Sequence, residues 1–174
     1  MFNAENPSPD FVKLIEIYRK IHLGGSSKRN SQKKLAKDTY NGRATFFFAD
    51  IIQTLIKKNH CKTMLDYGSG KGDFYFEKRK FNNKVYQPLK DFWNIKPTLY
   101  DPAVIKLDKP KNTKFDIVIS IDVLEHIPLQ DLNWVISEIL SFSKNLVFIN
   151  VACYPADVIL EDGRNAHVSL FPPM

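Results

Sequence analysis

Met64-Leu65-Asp66-Tyr67-Gly68-Ser69-Gly70-Lys71-Gly72-Asp73 decides how this chain is read. A short apolar run ends in an acid, and glycines follow at alternate positions. In physical terms this predicts a buried strand that stops abruptly, a tight turn and a helix start. Glycine is needed where the backbone takes a positive φ, or where a ligand lies directly on the chain. Alternate glycines also let consecutive backbone N–H groups face one ligand at a helix N-terminus. The spacing excludes two phosphate-type readings. A P-loop needs Ser or Thr after Gly-Lys, and Gly72 follows Gly70-Lys71. The dinucleotide fingerprint needs a third glycine where Asp73 stands. A tight strand-to-helix turn without a ligand is the alternative reading.

Working outward, strands alternate with helices. Lys62 to Tyr67 reads as the first strand, Pro97 to Asp101 as the second, Phe115 to Ile121 as a buried β-branched run, and Asn145 to Val151 as a fourth. Upstream, Ser8-Pro9-Asp10 is a helix entry for Phe11, Leu14, Ile15, Tyr18 and Ile21 at helical spacing, and Gly24-Gly25 stops that run. A second helix is expected from Arg43 to Lys58, its stripe made by Ala44, Phe47, Phe48, Ile51, Ile52, Leu55 and Ile56. Asp73 to Lys80 and Tyr86 to Trp93 read as short helices separated by Asn82-Asn83. Pro128 is expected to open a helix buried through Leu132, Val135, Ile136, Ile139 and Leu140. Ser26 to Asn41, Lys106 to Lys114 and the chain beyond Pro155 read as loops, the first as a basic lid. The alternation predicts an α/β fold with a doubly wound, mostly parallel sheet and helices on both faces. Sites in such sheets lie outside the carboxyl ends of the strands.

Composition bounds the class. The 174 residues, 44% hydrophobic and 25% charged, suit one globular domain with a real core. No apolar run approaches the roughly 20 residues of a membrane span, and Met1 to Asp10 lacks the plan of a signal peptide. Two distant cysteines, Cys61 and Cys153, argue against a disulfide framework and for a reducing, cytoplasmic setting. The net charge of +6 is uneven, with Lys28, Arg29, Lys33, Lys34 and Lys37 in one group and Lys78, Arg79 and Lys80 in another. Such runs can contact phosphates; without interleaved aromatics a solvated loop and helix face is the simpler reading.

The pattern Asp-x-Gly-x-Gly-x-Gly resembles motif I of the class I S-adenosylmethionine-dependent methyltransferases. Phe115 to Ile127, with Val123-Leu124-Glu125-His126, resembles the segment around the family's fourth strand. Together the matching pieces run from about Lys62 to Val151, in the family's order. The resemblance implies a Rossmann-like sheet and S-adenosyl-L-methionine as cofactor. It implies that Asp66, Gly68, Gly70 and Gly72, with Tyr67 and Ser69 between them, hold the methionine and ribose side. Asp101, followed by Pro102, is expected to accept the ribose hydroxyls, as a carboxylate ending the neighbouring strand can. Ser120 and Asp122 would border the cofactor. Glu125 and His126 would face the methyl acceptor, the histidine as a base near neutrality; helix capping or packing is its alternative role. Tyr18, His22 and His167 are further acceptor-side candidates.

Two departures from the family stand out. Only 13 residues, 102–114, separate Asp101 from Phe115, too few for the usual third strand and its helices, which leaves Asp108 as a weak adenine partner. The sheet is also expected to be abbreviated at its C-terminal edge, either as a minimal variant or because the chain is shortened, and an open edge would favour a homo-oligomer. The organisation expected is a single methyltransferase-like domain: N-terminal helices and basic loop over 1–60, a cofactor-binding core over 61–151, and a C-terminal loop over 152–174. The expected activity is methyl transfer to a small-molecule acceptor. The alternatives are a cofactor-binding accessory protein that does not methylate, and a nucleic-acid methyltransferase.

Overall fold

The computed structural model describes residues 2–28 and 32–172. Arg29 of the first basic group and the terminal Pro173 and Met174 lie outside the described residues. In chain order the elements are α1 (Pro9–Gly24), β1 (Ser26–Lys28), β2 (Lys33–Lys34), α2 (Ala49–Lys58), β3 (Thr63–Tyr67), β4 (Arg79–Phe81) and β5 (Lys84–Tyr86). They continue with α3 (Leu89–Phe92), β6 (Lys96–Tyr100), β7 (Phe115–Ile121), α4 (Leu132–Ser141), β8 (Ser143–Asn150) and β9 (Val158–Ile159). Short 3-10 turns cover Ala36–Asp38, Arg43–Phe48, Asp73–Tyr75 and Leu124–His126. Two compact units result, each gathered from separated stretches. One comprises Met1–Thr39, Asp122–Glu138 and Asn150–Met174; the other comprises Tyr40–Ile121 and Ile139–Ile149.

The second unit is built on a four-stranded sheet of order β6-β3-β7-β8. Strand β3 runs parallel to both β6 and β7, with Asp66 opposite Leu99 on one side and Ile119 on the other. The β-branched run of β7 takes an inner position, where Ile117, Val118 and Ile119 are fully buried. Pro97 is tolerated because β6 is an outer strand, where a missing N–H breaks no ladder. The core joins Met64, Ile117 and Ile119 of the sheet to Ile52, Ile56, Leu89 and Trp93 of the helices. Each such buried aliphatic contributes about 1.5–3 kcal/mol.

One acid fastens the amino ends of three strands. Asp116 Oδ2 accepts the N–H groups of Lys62 (2.8 Å) and Thr63 (2.9 Å), and its Oδ1 accepts Lys144 Nζ at 3.1 Å. The Lys62 N–H above all, with the other donors, holds this carboxyl well below the usual carboxylate range.

Several expectations are corrected. Arg43 to Lys58 is not one helix: Arg43–Phe48 winds as 3-10 before α2 begins. At three residues per turn the apolar stripe rotates. Phe46 is therefore buried while Phe47 is 65% and Ile51 52% exposed. Asp73 to Lys80 forms only one 3-10 turn, and the chain then enters an antiparallel hairpin of β4 and β5. Asn82 (φ 45°) and Asn83 (φ 61°) both occupy the left-handed region, as a two-residue type I′ hairpin turn requires. Helix α4 begins at Leu132 rather than Pro128, and Leu140 is 52% exposed instead of buried.

The first unit begins as expected. The Ser8 hydroxyl caps α1 by accepting Phe11 N–H at 3.1 Å, and Gly25 (φ 88°) stops the helix. Leu14, Ile17, Tyr18 and Ile21 are its buried face. Asp131, itself fully buried, accepts Ser8 N–H (3.0 Å), Ser8 Oγ–H (2.5 Å) and Trp134 Nε1–H (2.8 Å). The segments expected as lid and C-terminal loop meet in an antiparallel sheet of order β2-β1-β9, with Ser27 opposite Lys33 and Ile159. Their alternation is too short to read from sequence. Among the described residues no helix is long and apolar enough to cross a membrane.

Candidate functional site

The sequence-predicted residues fall into two groups, one in each unit. In the second unit the chain leaves β3 through Gly68 (φ 81°), Gly70 (φ 58°) and Gly72 (φ 65°), all left-handed. The strand-to-helix turn is thus real at its start, but only the 3-10 turn Asp73–Tyr75 follows it. The backbone donors from Gly68 to Lys71 all have partners within the protein. Gly68 and Ser69 N–H donate to Tyr100 O (2.7 and 3.1 Å), Gly70 N–H to Asp101 Oδ2 (2.9 Å), and Lys71 N–H to Tyr40 O (3.0 Å). A Cβ on Gly70 would lie 2.2 Å from Tyr40 O, and one on Gly72 would lie 2.3 Å from Leu99 Cδ1. The glycines are therefore required by the fold itself, through their φ and these close approaches.

The acids of this group are buried with few partners. Asp66, at the end of β3, is 4% exposed and accepts Tyr75 Oη–H at 2.7 Å. Burial pushes its carboxyl up to about 7, against the lowering effect of the Tyr75 hydrogen bond. Asp101 spends one lone pair of each oxygen on backbone, Oδ2 on Gly70 N–H and Oδ1 on Ala103 N–H (2.8 Å), and burial raises its pKa. Burial also raises the Tyr40 phenol, and the Asp101 charge adds to that effect. Tyr67 packs on Tyr100 with ring centroids 5.1 Å apart, and Ser69 and Ser120 are buried. Ser120 Oγ has no hydrogen-bond partner among the described residues. Pro102 is half-buried beside Asp101, and Asp108 is exposed in the irregular 102–114 segment.

In the first unit, the turn after β7 and the C-terminal segment converge with α1. Asp122 takes a left-handed φ of 54° and donates its N–H to Asn150 O at 3.1 Å. Glu125 is fully buried on the 3-10 turn Leu124–His126. Its Oε1 accepts Ala152 N–H at 2.8 Å, while Oε2 has no hydrogen-bond partner among the described residues. Burial pushes this carboxyl up to about 7.

His126 Nδ1 lies 2.8 Å from Ala166 O and 2.9 Å from Tyr18 Oη. A carbonyl can only accept, so Nδ1 carries the proton, and Tyr18 Oη–H donates to the same carbonyl at 3.0 Å. The His126 and His167 rings meet edge to face, 4.8 Å apart, and His167 Nδ1–H donates to Tyr154 O at 2.5 Å. Burial, with the neighbouring His167, lowers His126 to about 4. This burial and the Nδ1–H contact with Ala166 O favour the alternative packing role over the expected base near neutrality. Of the pair, Glu125 is the group that titrates near neutrality. His22 stands on the last turn of α1. A shallow cleft of about 300 Å³ in the same unit is lined by Asp10, Leu129, Gln130, Arg164, Asn165 and His167. Its guanidinium is already committed, the Arg164 fork holding Asp10 at 2.8 and 2.9 Å.

Sequence reasoning missed Tyr75 and the Tyr40 carbonyl. Nothing local marks Tyr75 as the partner of Asp66. The docking of Tyr40 on Gly70 is a long-range contact, from a segment read as part of the basic loop. No family model, curated protein or solved structure matches this chain.

Proposed function

We propose that the chain is an S-adenosyl-L-methionine-dependent methyltransferase with a Rossmann-like core, acting on a small-molecule acceptor. The observation that carries this reading is the strand order β6-β3-β7-β8. The chain leaves β3 to one side for β6 and returns to the other for β7. That is a topological switch point, where ligands of open α/β sheets bind beyond the carboxyl ends. At those ends stand the glycine turn, Asp101 and Asp122.

The residues fit the cofactor in part. Asp101 keeps a second lone pair on each oxygen, the requirement for accepting two ribose hydroxyls. At the glycine turn the N–H groups from Gly68 to Lys71 are already engaged, and the Tyr40 carbonyl and the Leu99 side chain lie against Gly70 and Gly72. The cofactor would supply an electrophilic methyl on a sulfonium. Transfer by in-line displacement asks of the protein mainly that it hold the acceptor atom in place. Asp66, Tyr67, Gly68, Ser69, Gly70 and Gly72 would frame the donor, with Asp101 and Pro102 at the ribose; Ser120, in β7, and Asp122, which follows that strand in sequence, are assigned to the cofactor by the resemblance alone. Glu125 is assigned the proton of the acceptor group, with His126 as a neutral hydrogen-bonding neighbour rather than the base. Pairing of a second copy along an outer strand, β6 or β8, belongs to the same proposal.

The committed N–H groups of the turn favour a second reading, an accessory protein of this fold without methyl transfer. Calorimetric titration with S-adenosylmethionine and S-adenosylhomocysteine decides. The methyltransferase reading expects saturable binding of both, weakened at least tenfold by Asp101→Ala and unchanged by Glu125→Gln. Absence of heat with either ligand, or binding indifferent to Asp101→Ala, refutes the cofactor assignment.

A further inference from the structure

Residues 77–90 carry five basic side chains, Lys78, Arg79, Lys80, Lys84 and Lys90, against one acid, Glu77. As a helix this run would be an ordinary solvated face. As the β4–β5 hairpin it is interleaved with aromatics. The strand period places Arg79 and Phe81 on one face, and Lys80 opposite an exposed Val85 on the other. The Arg79 guanidinium lies 5.2 Å from the Phe74 ring, and that of Arg43 lies 5.7 Å from Phe81. Phe47 meets Phe81 edge to face at 4.6 Å and is 65% exposed. Phe76 is 58% exposed, with Lys90 Nζ at 6.0 Å from its ring. Arg43, Lys78 and Lys80 have no ion-pair partner among the described residues.

We infer that this hairpin, with the adjoining 3-10 turn Arg43–Phe48, is a binding surface for single-stranded nucleic acid. Solvation alone accounts for exposed lysines; it does not account for an exposed Phe76 with Lys90 beside its ring, or for an exposed Phe47 packed on the Phe81 ring that Arg43 approaches. A single strand satisfies both features, its phosphates pairing with the cations and its bases stacking on the rings. A duplex hides its base faces and would use only the charges. The surface stands independently of the cofactor reading.

The test is fluorescence anisotropy of the full chain, without S-adenosylmethionine, against labelled single-stranded RNA and DNA of about 12 nucleotides. Saturable binding is expected at about 50 mM salt, weakening at least tenfold by about 200 mM. Lys78→Glu with Lys80→Glu should weaken it at least tenfold at the lower salt. Phe47→Ala with Phe76→Ala should weaken it about fivefold or more while leaving the salt slope unchanged. The substituted side chains are exposed, and an unchanged melting curve certifies each variant. No saturable binding, equal affinity for the matching duplex, or indifference to the phenylalanine pair overturns the proposal. So does capture on phosphatidylserine vesicles without binding to the oligonucleotides, which would mark a membrane surface instead.

Discussion

In the glycine turn every backbone donor from Gly68 to Lys71 has an acceptor, and the positions a Cβ would take at Gly70 and Gly72 are filled by Tyr40 and Leu99. In the corner formed by Tyr18, Glu125, His126 and His167, side chains carry the tension instead. Glu125 is wholly buried with one oxygen lacking a partner among the described residues, and burial lowers His126 to about 4. The first region is a finished frame that sequence spacing announces. The second is chemically unfinished, and no motif announces its protonation states. The contrast shows that a glycine pattern can report backbone geometry without reporting what touches it, whereas reactivity follows from burial.

The largest expected effect breaks the comparison at the frame. Gly70→Ala must place its Cβ against the Tyr40 carbonyl and hold a left-handed φ, costing about 3 kcal/mol or more in urea unfolding. Gly163→Ala, at φ +85° with nothing within 4 Å, should cost only the left-handed strain, about 1–2 kcal/mol. Equal costs would mean that the Tyr40 contact does not shape the turn.

Next comes the paired acid of each unit. Glu125 is raised from 4.5 and Asp66 from 3.8, both to about 7. The folded protein therefore binds more protons than the unfolded chain between those values. Stability is fully present below pH 4 and is lost as pH rises through 7, by on the order of 2 kcal/mol for each group. Glu125→Gln and Asp66→Asn should each remove one share of that slope in melts taken from pH 4 to 8. A slope untouched by either variant would refute the assignment for that unit.

His126 has the opposite sign. Depressed from 6.5 to about 4, it contributes stability present above pH 6.5 and lost as pH falls towards 4. Its partly exposed ring limits this to on the order of 1–2 kcal/mol. His126→Gln should flatten the acid side of the same profile, and an NMR titration of its ring should show no midpoint above pH 5. Smallest is Tyr75→Phe, which removes the hydroxyl donated to Asp66 and should cost about 1 kcal/mol. It should also move the Asp66 midpoint upward, since that hydrogen bond lowers its pKa.

How much of this the sequence carried depends on the range of the forces involved. Strands β3, β6, β7 and β8 and the cap at Ser8 were legible because apolar runs and capping residues act locally. The β4–β5 hairpin carried its own signal, two consecutive asparagines suited to left-handed φ, but the basic run around them reads equally as a helix. The 3-10 winding of Arg43–Phe48 had no signal, because one residue of phase decides whether Phe46 or Phe47 is buried. In the candidate site the acids at the strand ends were found. What could not be found was Tyr40 closing over Gly70, or the drop in His126 basicity. Both depend on parts of the chain tens of residues away, about 30 in one case and 40 in the other.

Asp116 lends the four-stranded sheet a property that neither region has alone. Fastened by donors from Lys62, Thr63 and Lys144, its carboxyl is held towards the charged form, whereas burial pushes Asp66, near the opposite end of β3, towards the neutral acid. The two ends of one strand are thus biased in opposite directions, hydrogen-bond donors favouring the carboxylate at one and burial favouring the protonated acid at the other.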